Sequence, residues 1–303
     1  MKNESKVSVV NWIGERVPVK SIKALAVHGG MFHADDVMCY ALLKAVNPDI
    51  ILIRINTFNE MLDYVCGDLT LDNIIVCDVL HGHYDHHQDD CARREDGEKR
   101  AACGILFDDI KSDLFIESHT ADEFENTFII PIEDADNGIA PNPLNATIRS
   151  FNPQWNAERQ SAYMDAFIEA SEIFSAIINN KIEAERASIR AYIIAEEACK
   201  EAVKTGNNYI WFNIGLPWMK AASKYNIKFA VLPSPRGGYA LTANSAMQVT
   251  LPIHDLSVYD NATYRNARMA VFDKFDDAIV CAEKISEPDF LEEENKGGIN
   301  NGN

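Results

Sequence analysis

The feature that most constrains the fold is an alternation of apolar runs and helical patterns between residues 24 and 77. Three short aliphatic runs, at 24–27, 50–55 and 74–77, have the length and composition of buried strands. Apolar residues at helical spacing fill the intervals at 36–46 and 58–65. Strand, helix, strand, helix, strand with short connections predicts a parallel sheet covered by helices.

The patterns after this region divide the chain further. A short apolar run at 128–130, leading into EDADNGI, predicts another strand, and the spacing over 156–204 predicts one long or two consecutive helices. The runs at 229–232 and 239–242 flank PSPRGG and predict a hairpin. We therefore expect an α/β protein with a parallel-sheet N-terminal domain over 1–150, a helical connector over 151–205, a smaller α/β domain over 206–285 and a tail of disordered composition over 286–303.

Charge limits the classes of partner. The formal net charge of −18 is unlike that of a protein that coats duplex nucleic acid, which presents a basic face. Any nucleic-acid substrate must then be bound locally, by metal ions and a few basic side chains.

Several features predict a cytoplasmic protein. No apolar run approaches the length of a membrane span, and the N-terminal residues lack both the apolar core of a secretory signal and the composition of a transit peptide. The seven cysteines are scattered and form no C-x-x-C pair, which fits reduced thiols and argues against a structural zinc site.

Histidine and aspartate concentrate where the predicted strands end. Six of the eight histidines lie between residues 28 and 87. His28 directly follows the first predicted strand, Asp78 the third, and the run 85–87 lies a few residues further on. Because the carboxyl ends of parallel strands form one crevice, we expect these segments to converge. Imidazole with carboxylate suits Mn, Fe or Zn.

Some of these residues have an equally simple structural interpretation. His33 with Asp35, taken alone, fits a surface hydrogen bond, and Asp36 fits a charge at a helix N-terminus as well as it fits a ligand. His81 and His83 fit loop residues better than ligands. Two adjacent histidines after an aspartate, combined with a strand-end aspartate, favour a metal centre.

These motifs resemble a known family. The run YDHHQ, preceded by a strand-end aspartate and by HGGMFHADD, resembles the DHH phosphoesterase superfamily, and within it the Myg (melanocyte-proliferating-gene) family of manganese-dependent exonucleases. EDADNGI, NATIRSFNPQWN and LPWMKA resemble further motifs of that family. The link 79–84 is shorter than the family's, Glu133 stands where the family has aspartate, and the segment 258–275 matches only loosely.

The resemblance implies a metal scheme. One ion is held by His28, His33 and Asp78; the other is held by Asp35, Asp78, His86 and Asp136, with Asp78 bridging. His87 is then the catalytic residue that faces the substrate phosphate, and Asp85 orients the histidines. Basic residues just after the DHH run are candidates for contacts with the substrate, although a solvated charged loop explains them as well: Arg93, Arg94, Lys99 and Arg100.

Three functional hypotheses follow. The first is a phosphodiesterase with two Mn²⁺ ions per site (Mg²⁺ or another divalent ion being the alternative), acting as a 3'-5' exonuclease on RNA or single-stranded DNA. The second is a hydrolase of short oligonucleotides or of a small nucleotide or pyrophosphate, which the acidic charge favours. The third is a metal-binding interaction module without turnover. We expect no membrane partner, and the oligomeric state stays open, with a homodimer as one option.

Overall fold

A computed structural model describes residues 7–154, 160–252 and 255–287. It divides into two compact units, Met1–Glu185 and Arg186–Asn303, whose border falls inside one long helix. The predicted domain limits at 150, 205 and 285 stay predictions. Trp155 and Asn156 of the NPQWN motif, and residues 288–303 of the predicted tail, lie outside the described ranges.

The structure has the predicted mixture of helices and strands. The strands are β1 (Ser8–Val10), β2 (Arg16–Pro18), β3 (Ala24–His28), β4 (Ile51–Ile55), β5 (Ile74–Val76), β6 (Tyr209–Trp211), β7 (Phe229–Pro233), β8 (Tyr239–Ala243), β9 (Ala262–Arg265) and β10 (Met269–Phe272). The α-helices are α1 (Ala34–Val46), α2 (Phe58–Leu62), α3 (Ala102–Leu114), α4 (Ser118–Phe124), α5 (Ile130–Asp136), α6 (Pro143–Arg149), α7 (Gln160–Thr205), α8 (Met219–Lys224) and α9 (Phe275–Ser286).

The first unit is built on the predicted parallel sheet. Its strand order is β4-β3-β5, with β3 parallel to both neighbours. Leu25 and Val27 pack into the large core shared with α1 and α3, whereas Ala24 and Ala26 belong to a second core on the opposite face. Both faces of the sheet are therefore covered, which explains why its strands are apolar in sequence except for Arg54 and the strand-end His28.

Helix α1 follows β3 and ends where the sequence predicts. Its last residue is Val46, and the next residue, Asn47, is extended, as expected for a residue before proline. Helix α2 is shorter than the predicted 58–65, since it ends at Leu62. The main consequence for the site is that the start of α1 lies next to the C-terminal end of β3.

The strand predicted at 128–130 is wrong. These residues lie in a continuous helical segment made of α4, a π-helical turn (Glu125–Ile129) and α5. Phe124, Ile129 and Ile132 are all fully buried. Their spacing of five and then three residues fits a helix only because the π turn adds a residue. A run of three apolar residues cannot distinguish such a helix from a strand.

The second unit contains a five-stranded sheet of order β6-β7-β8-β10-β9, in which only β6 and β7 are parallel. The predicted hairpin is present as β7 and β8. Its turn requires glycine at 238, because φ is +69° and a Cβ there would lie 2.1 Å from the Phe272 carbonyl oxygen. Helix α9 covers one face of the sheet. Within the described ranges, no helix has the length and apolar character needed to cross a membrane.

Candidate metal centre

The predicted ligands converge in the first unit, at the C-terminal edge of its parallel sheet. His28 is the last residue of β3, and His33 directly precedes α1. Asp78 follows β5, and Asp136 is the last residue of α5. Three groups of these side chains place one ligand atom each within 4.8 Å of one another: His28, His33 and Asp78; Asp78, His86 and His87; and Asp35, His86 and Asp136.

The first cluster consists of His28, His33 and Asp78. The His28 Nδ1 atom lies 3.0 Å from the Gly29 carbonyl oxygen, which turns Nε2 toward the carboxylates. Nε2 lies 3.1 Å from Asp36 Oδ2 and 3.5 Å from Asp78 Oδ2. Burial disfavours the charged imidazolium, but the Asp36 carboxylate outweighs this effect and raises the pKa of His28 to about 9. The environment therefore favours positive charge.

The second cluster consists of Asp35, His86 and Asp136. The His86 Nε2 atom lies 3.2 Å from Asp136 Oδ2 and 3.9 Å from Asp35 Oδ2. Burial again opposes the imidazolium, but Asp136 and Asp78 raise the pKa of His86 to about 11. Burial and the neighbouring carboxylates raise the pKa of Asp35 well above its usual range. Three carboxylates around one imidazole form a strongly anionic site.

Asp78 lies between the two clusters. Its Oδ2 atom faces His28 at 3.5 Å, and its Oδ1 atom faces His86 Nε2 at 3.1 Å. Among the described residues, Asp78 Oδ1 and His86 Nε2 are buried and lie 3.1 Å apart, but they form no hydrogen bond of good geometry with each other or with any other group. Buried polar atoms that are not hydrogen-bonded are rare in proteins, and divalent cations bound here would satisfy both atoms. The residues present therefore fit a metal centre.

The backbone beside Asp78 adopts an uncommon conformation. Asp78, Leu80 and His81 have φ values of 58°, 65° and 55°, in the left-handed region that non-glycine residues rarely occupy. The Asp78 amide donates to the Tyr84 carbonyl oxygen at 2.9 Å, which closes the tight link 79–84. Strain of this kind persists only where surrounding contacts determine the conformation. Here it places the Asp78 side chain between the clusters.

Asp85 and His87 form a pair next to the clusters. Asp85 Oδ1 accepts hydrogen bonds from the His87 amide at 3.0 Å and lies 2.7 Å from His87 Nδ1, while Oδ2 accepts one from the His81 amide. Burial raises the pKa of Asp85, but these donors outweigh it and hold the pKa below its usual value. The His87 side chain is 59% exposed. Asp85 thus fixes the orientation of a ring that is accessible from solvent.

The four basic residues after the DHH run differ in their surroundings. Arg94 is ion-paired with Asp134 at 2.7 Å, and Arg100 with Asp108 at 2.7 Å and Glu125 at 2.8 Å. Arg93 is exposed, and Lys99 is half-buried with its Nζ atom 3.4 Å from the Gln88 carbonyl oxygen. Contact with a substrate stays a prediction for all four residues.

Sequence reasoning missed two buried charged residues near the ligands. Arg54 in β4 donates to the carbonyl oxygens of His28 and Gly30 at 2.9 Å, and so holds the turn between the first ligands. Its signal was an arginine inside the apolar strand ILIRI. Glu133 in α5 is fully buried and accepts a hydrogen bond from the Ala101 amide. Its only signal in the sequence was that glutamate stands at position 133, where the family motif has aspartate.

Asp36, for which the sequence left two interpretations open, has features of both. Its Oδ1 atom accepts hydrogen bonds from the amides of His33 and Val37 at the start of α1. Its Oδ2 atom faces His28 Nε2. Asp36 therefore caps the first turn of α1 and also orients the candidate ligand His28.

Comparisons with known proteins identify a family. Residues 24–248 match the sequence model of a protein family, the MYG1 exonuclease family, which is described as "Uncharacterised protein family (UPF0160)". No curated protein matches the chain. Among solved structures, one of an uncharacterized protein from Helicobacter pylori G27 is 10% identical, covering 83% of this chain and 93% of that one with a TM-score of 0.23.

Proposed function

The chain belongs to the uncharacterised protein family UPF0160, that of the MYG1 exonuclease model, and on this basis we propose that its histidine–aspartate centre hydrolyses phosphodiester bonds with two divalent ions. The family name implies an exonuclease, and the clusters supply side chains whose ligand atoms are close enough together to hold a metal ion. The finer assignment is a DHH-type enzyme that uses two Mn²⁺ ions and removes nucleotides from the 3' end of RNA or single-stranded DNA.

One observation carries this proposal. The two carboxylate oxygens of Asp78 face different clusters, Oδ2 toward His28 Nε2 at 3.5 Å and Oδ1 toward His86 Nε2 at 3.1 Å. A carboxylate can bridge two cations, whereas an imidazole rarely does. His28 and His33 would complete the site of one ion, and Asp35, His86 and Asp136 that of the other.

The chain's own residues suggest how the reaction is assisted. When bound, two divalent ions polarise the phosphoryl group and lower the pKa of a nearby water. Hydrolysis forms a bond between the water oxygen and phosphorus, breaks the ester P–O bond and delivers a proton to the leaving oxygen. Asp85 holds Nδ1 of His87, so that Nε2 is directed outward as a proton-donating or electrophilic group for the phosphate.

The acidic composition fits local binding of the substrate. With a net charge of −18, counterion release contributes little to affinity for a polymer. Ions in the two clusters would reduce this charge where the phosphate binds. We also propose that the smaller α/β region 206–285 binds the substrate.

The test is an assay of purified protein with 5'-labelled RNA and Mn²⁺. We expect progressive shortening from the 3' end, and His119→Ala, which changes an exposed histidine outside both clusters, serves as the control and should shorten RNA normally. Cleavage confined to two- to five-mers would favour the short-oligonucleotide alternative. Stoichiometric metal without cleavage of any phosphate ester would favour the interaction module and contradict the proposal.

A further inference from the structure

Glu133 is a fully buried carboxylate that lies one helical turn before the candidate ligand Asp136. We propose that Glu133 is a positioning residue for the second cluster, which it aligns by joining helix α5 to the N-terminus of helix α3. The inference rests on the proposed two-ion centre and adds to it a residue that contacts neither the substrate nor an ion.

The N-terminus of α3 connects Glu133 to a ligand. Three consecutive amides there donate to two carboxylates: that of Ala101 to Glu133 Oε1 at 3.1 Å, that of Ala102 to Asp35 Oδ2 at 3.0 Å, and that of Cys103 to Asp35 Oδ1 at 2.7 Å. Both oxygens of Asp35 are thus oriented by the same helix end that Glu133 holds. A shift of α3 relative to α5 would move Asp35 away from His86 and Asp136.

Two arginines offset part of the cost of burying a carboxylate at position 133, although burial outweighs them and raises the pKa of Glu133 to about 7. Arg94 Nη1 and Arg100 Nη1 each lie 3.4 Å from Glu133 Oε2. Arg94 also binds Asp134, on the same helix as Glu133. A buried carboxylate needs charged or hydrogen-bonding partners, and these two come from the segment that directly follows the DHH run. Glu133 therefore links three segments that flank the second cluster.

Gly104 shows how closely the carboxylate is packed. A Cβ atom at position 104 would lie 1.7 Å from Glu133 Oε1 and 2.5 Å from its Cδ atom. Glycine is unfavourable inside a helix, and alanine is the best helix former. The space beside Gly104 is occupied by Glu133, so Gly104→Ala would displace the carboxylate without changing any charge.

The experiment is a Mn²⁺ titration of metal-free protein by calorimetry, with two variants and a control. Glu133→Gln removes the charge, and Gly104→Ala displaces the side chain. The control, Asp108→Asn, removes an ion pair of the same Arg100 but no contact with the α3 amides. We expect each variant to bind one ion as the wild type does and the other about 10- to 100-fold more weakly, the size typical for a partner that orients a ligand. The control should bind both ions normally.

Hydrogen exchange of the wild type supplies a second readout that needs no variant. If α3 and the second cluster are coupled, the amides of Ala101, Ala102 and Cys103 should exchange more slowly once both ions are bound. Two unchanged affinities in both variants, equal weakening of both ions, or exchange that does not respond to Mn²⁺ would overturn the inference and leave the metal centre in place. A wild-type protein that binds no divalent ion would overturn both.

Discussion

Asp78 belongs to the first ligand cluster and also faces the second, but the two clusters are built differently. The first cluster has two imidazoles and one carboxylate, and its His33 side chain is 42% exposed. The second cluster has two carboxylates and one imidazole, and its Asp35 and His86 side chains are 0% and 7% exposed. Burial and oxygen ligands should hold an ion in the second cluster more firmly, while the first should exchange its ion more readily.

The buried charged residues behind the two clusters also differ in sign: Arg54 lies behind the first cluster and Glu133 behind the second. The turn of the first is held by Arg54, which donates to the carbonyl oxygens of His28 and Gly30. The second depends on amides that donate to Asp35 and Glu133. In each cluster, a buried charged residue that is not a candidate ligand therefore lies behind the candidate ligands.

The largest expected effect is the loss of both ions when Asp78, which faces both clusters, is replaced. Asp78→Ala should abolish binding of both ions, because each oxygen of Asp78 faces one cluster. We expect nuclease activity to fall by more than about a hundredfold, beyond the loss typical of a residue that only orients a ligand. Calorimetry and elemental analysis measure the bound metal, and retention of either ion at wild-type affinity would contradict the bridging role.

Arg54→Met should destabilise the turn between His28 and Gly30 that carries the first cluster. Methionine keeps much of the apolar length but removes the donors to His28 and Gly30, and we expect the free energy of unfolding to fall by about 3 kcal/mol. The exposed Arg16, which pairs with Asp109 at 3.1 Å, offers a matched control: Arg16→Met should cost less than about 1 kcal/mol. Urea denaturation measures both. Equal losses would show that Arg54 is not a special anchor.

Proton binding should substitute for metal in both clusters. The pKa of His28 is raised to about 9 and that of His86 to about 11, so the native state binds more protons than the unfolded state above pH 6.5. This stability is fully present below pH 6.5 and is lost as pH rises through the folded pKa. From the His28 shift alone, metal-free protein should therefore lose about 2.5 kcal/mol of stability between pH 6.5 and 9, and the larger His86 shift adds to this loss. Saturating Mn²⁺ should remove this loss, and an increase of stability with pH in metal-free protein would contradict the prediction.

The smallest expected effect separates ion binding from contact with the phosphate. Asp85→Asn weakens the hydrogen bonds that orient His87 but changes no member of the first or second cluster. We expect kcat to fall about tenfold, equivalent to about 1.4 kcal/mol, with both ions bound normally. Single-turnover kinetics and calorimetry on the same sample decide the matter. Loss of an ion in this variant would place Asp85 in the metal site.

Much of the first unit could be predicted from sequence because its signals are local. The strands predicted at 24–27, 50–55 and 74–77 are apolar except for Arg54, and the position of a residue after a parallel strand predicts the edge at which it lies. The convergence of His28, Asp78 and His86 follows from that rule. Their roles as ligands stay a prediction.

The remainder depends on contacts between residues distant in sequence. The run 128–130 looks like a strand because the helix that contains it has a π turn, which breaks the usual spacing. The roles of Arg54 and Glu133 could not be predicted from the sequence, because their partners are distant along the chain. Folding brings carbonyl oxygens to Arg54, and it brings an amide and two arginines to Glu133. The space beside Gly104 in α3 is likewise filled by Glu133 of α5, so the residues around Gly104 in the sequence do not reveal it.

The position of Asp136 at the end of α5 has a consequence for biosynthesis. His28, His33 and Asp78 are all translated with the three strands of the parallel sheet, whereas Asp136 follows many residues later. At about 5–20 residues per second, a nascent chain carries every ligand of the first cluster for several seconds before the last ligand of the second is made. Translation therefore completes the candidate ligand set of the first cluster before that of the second, which has to wait for Asp136.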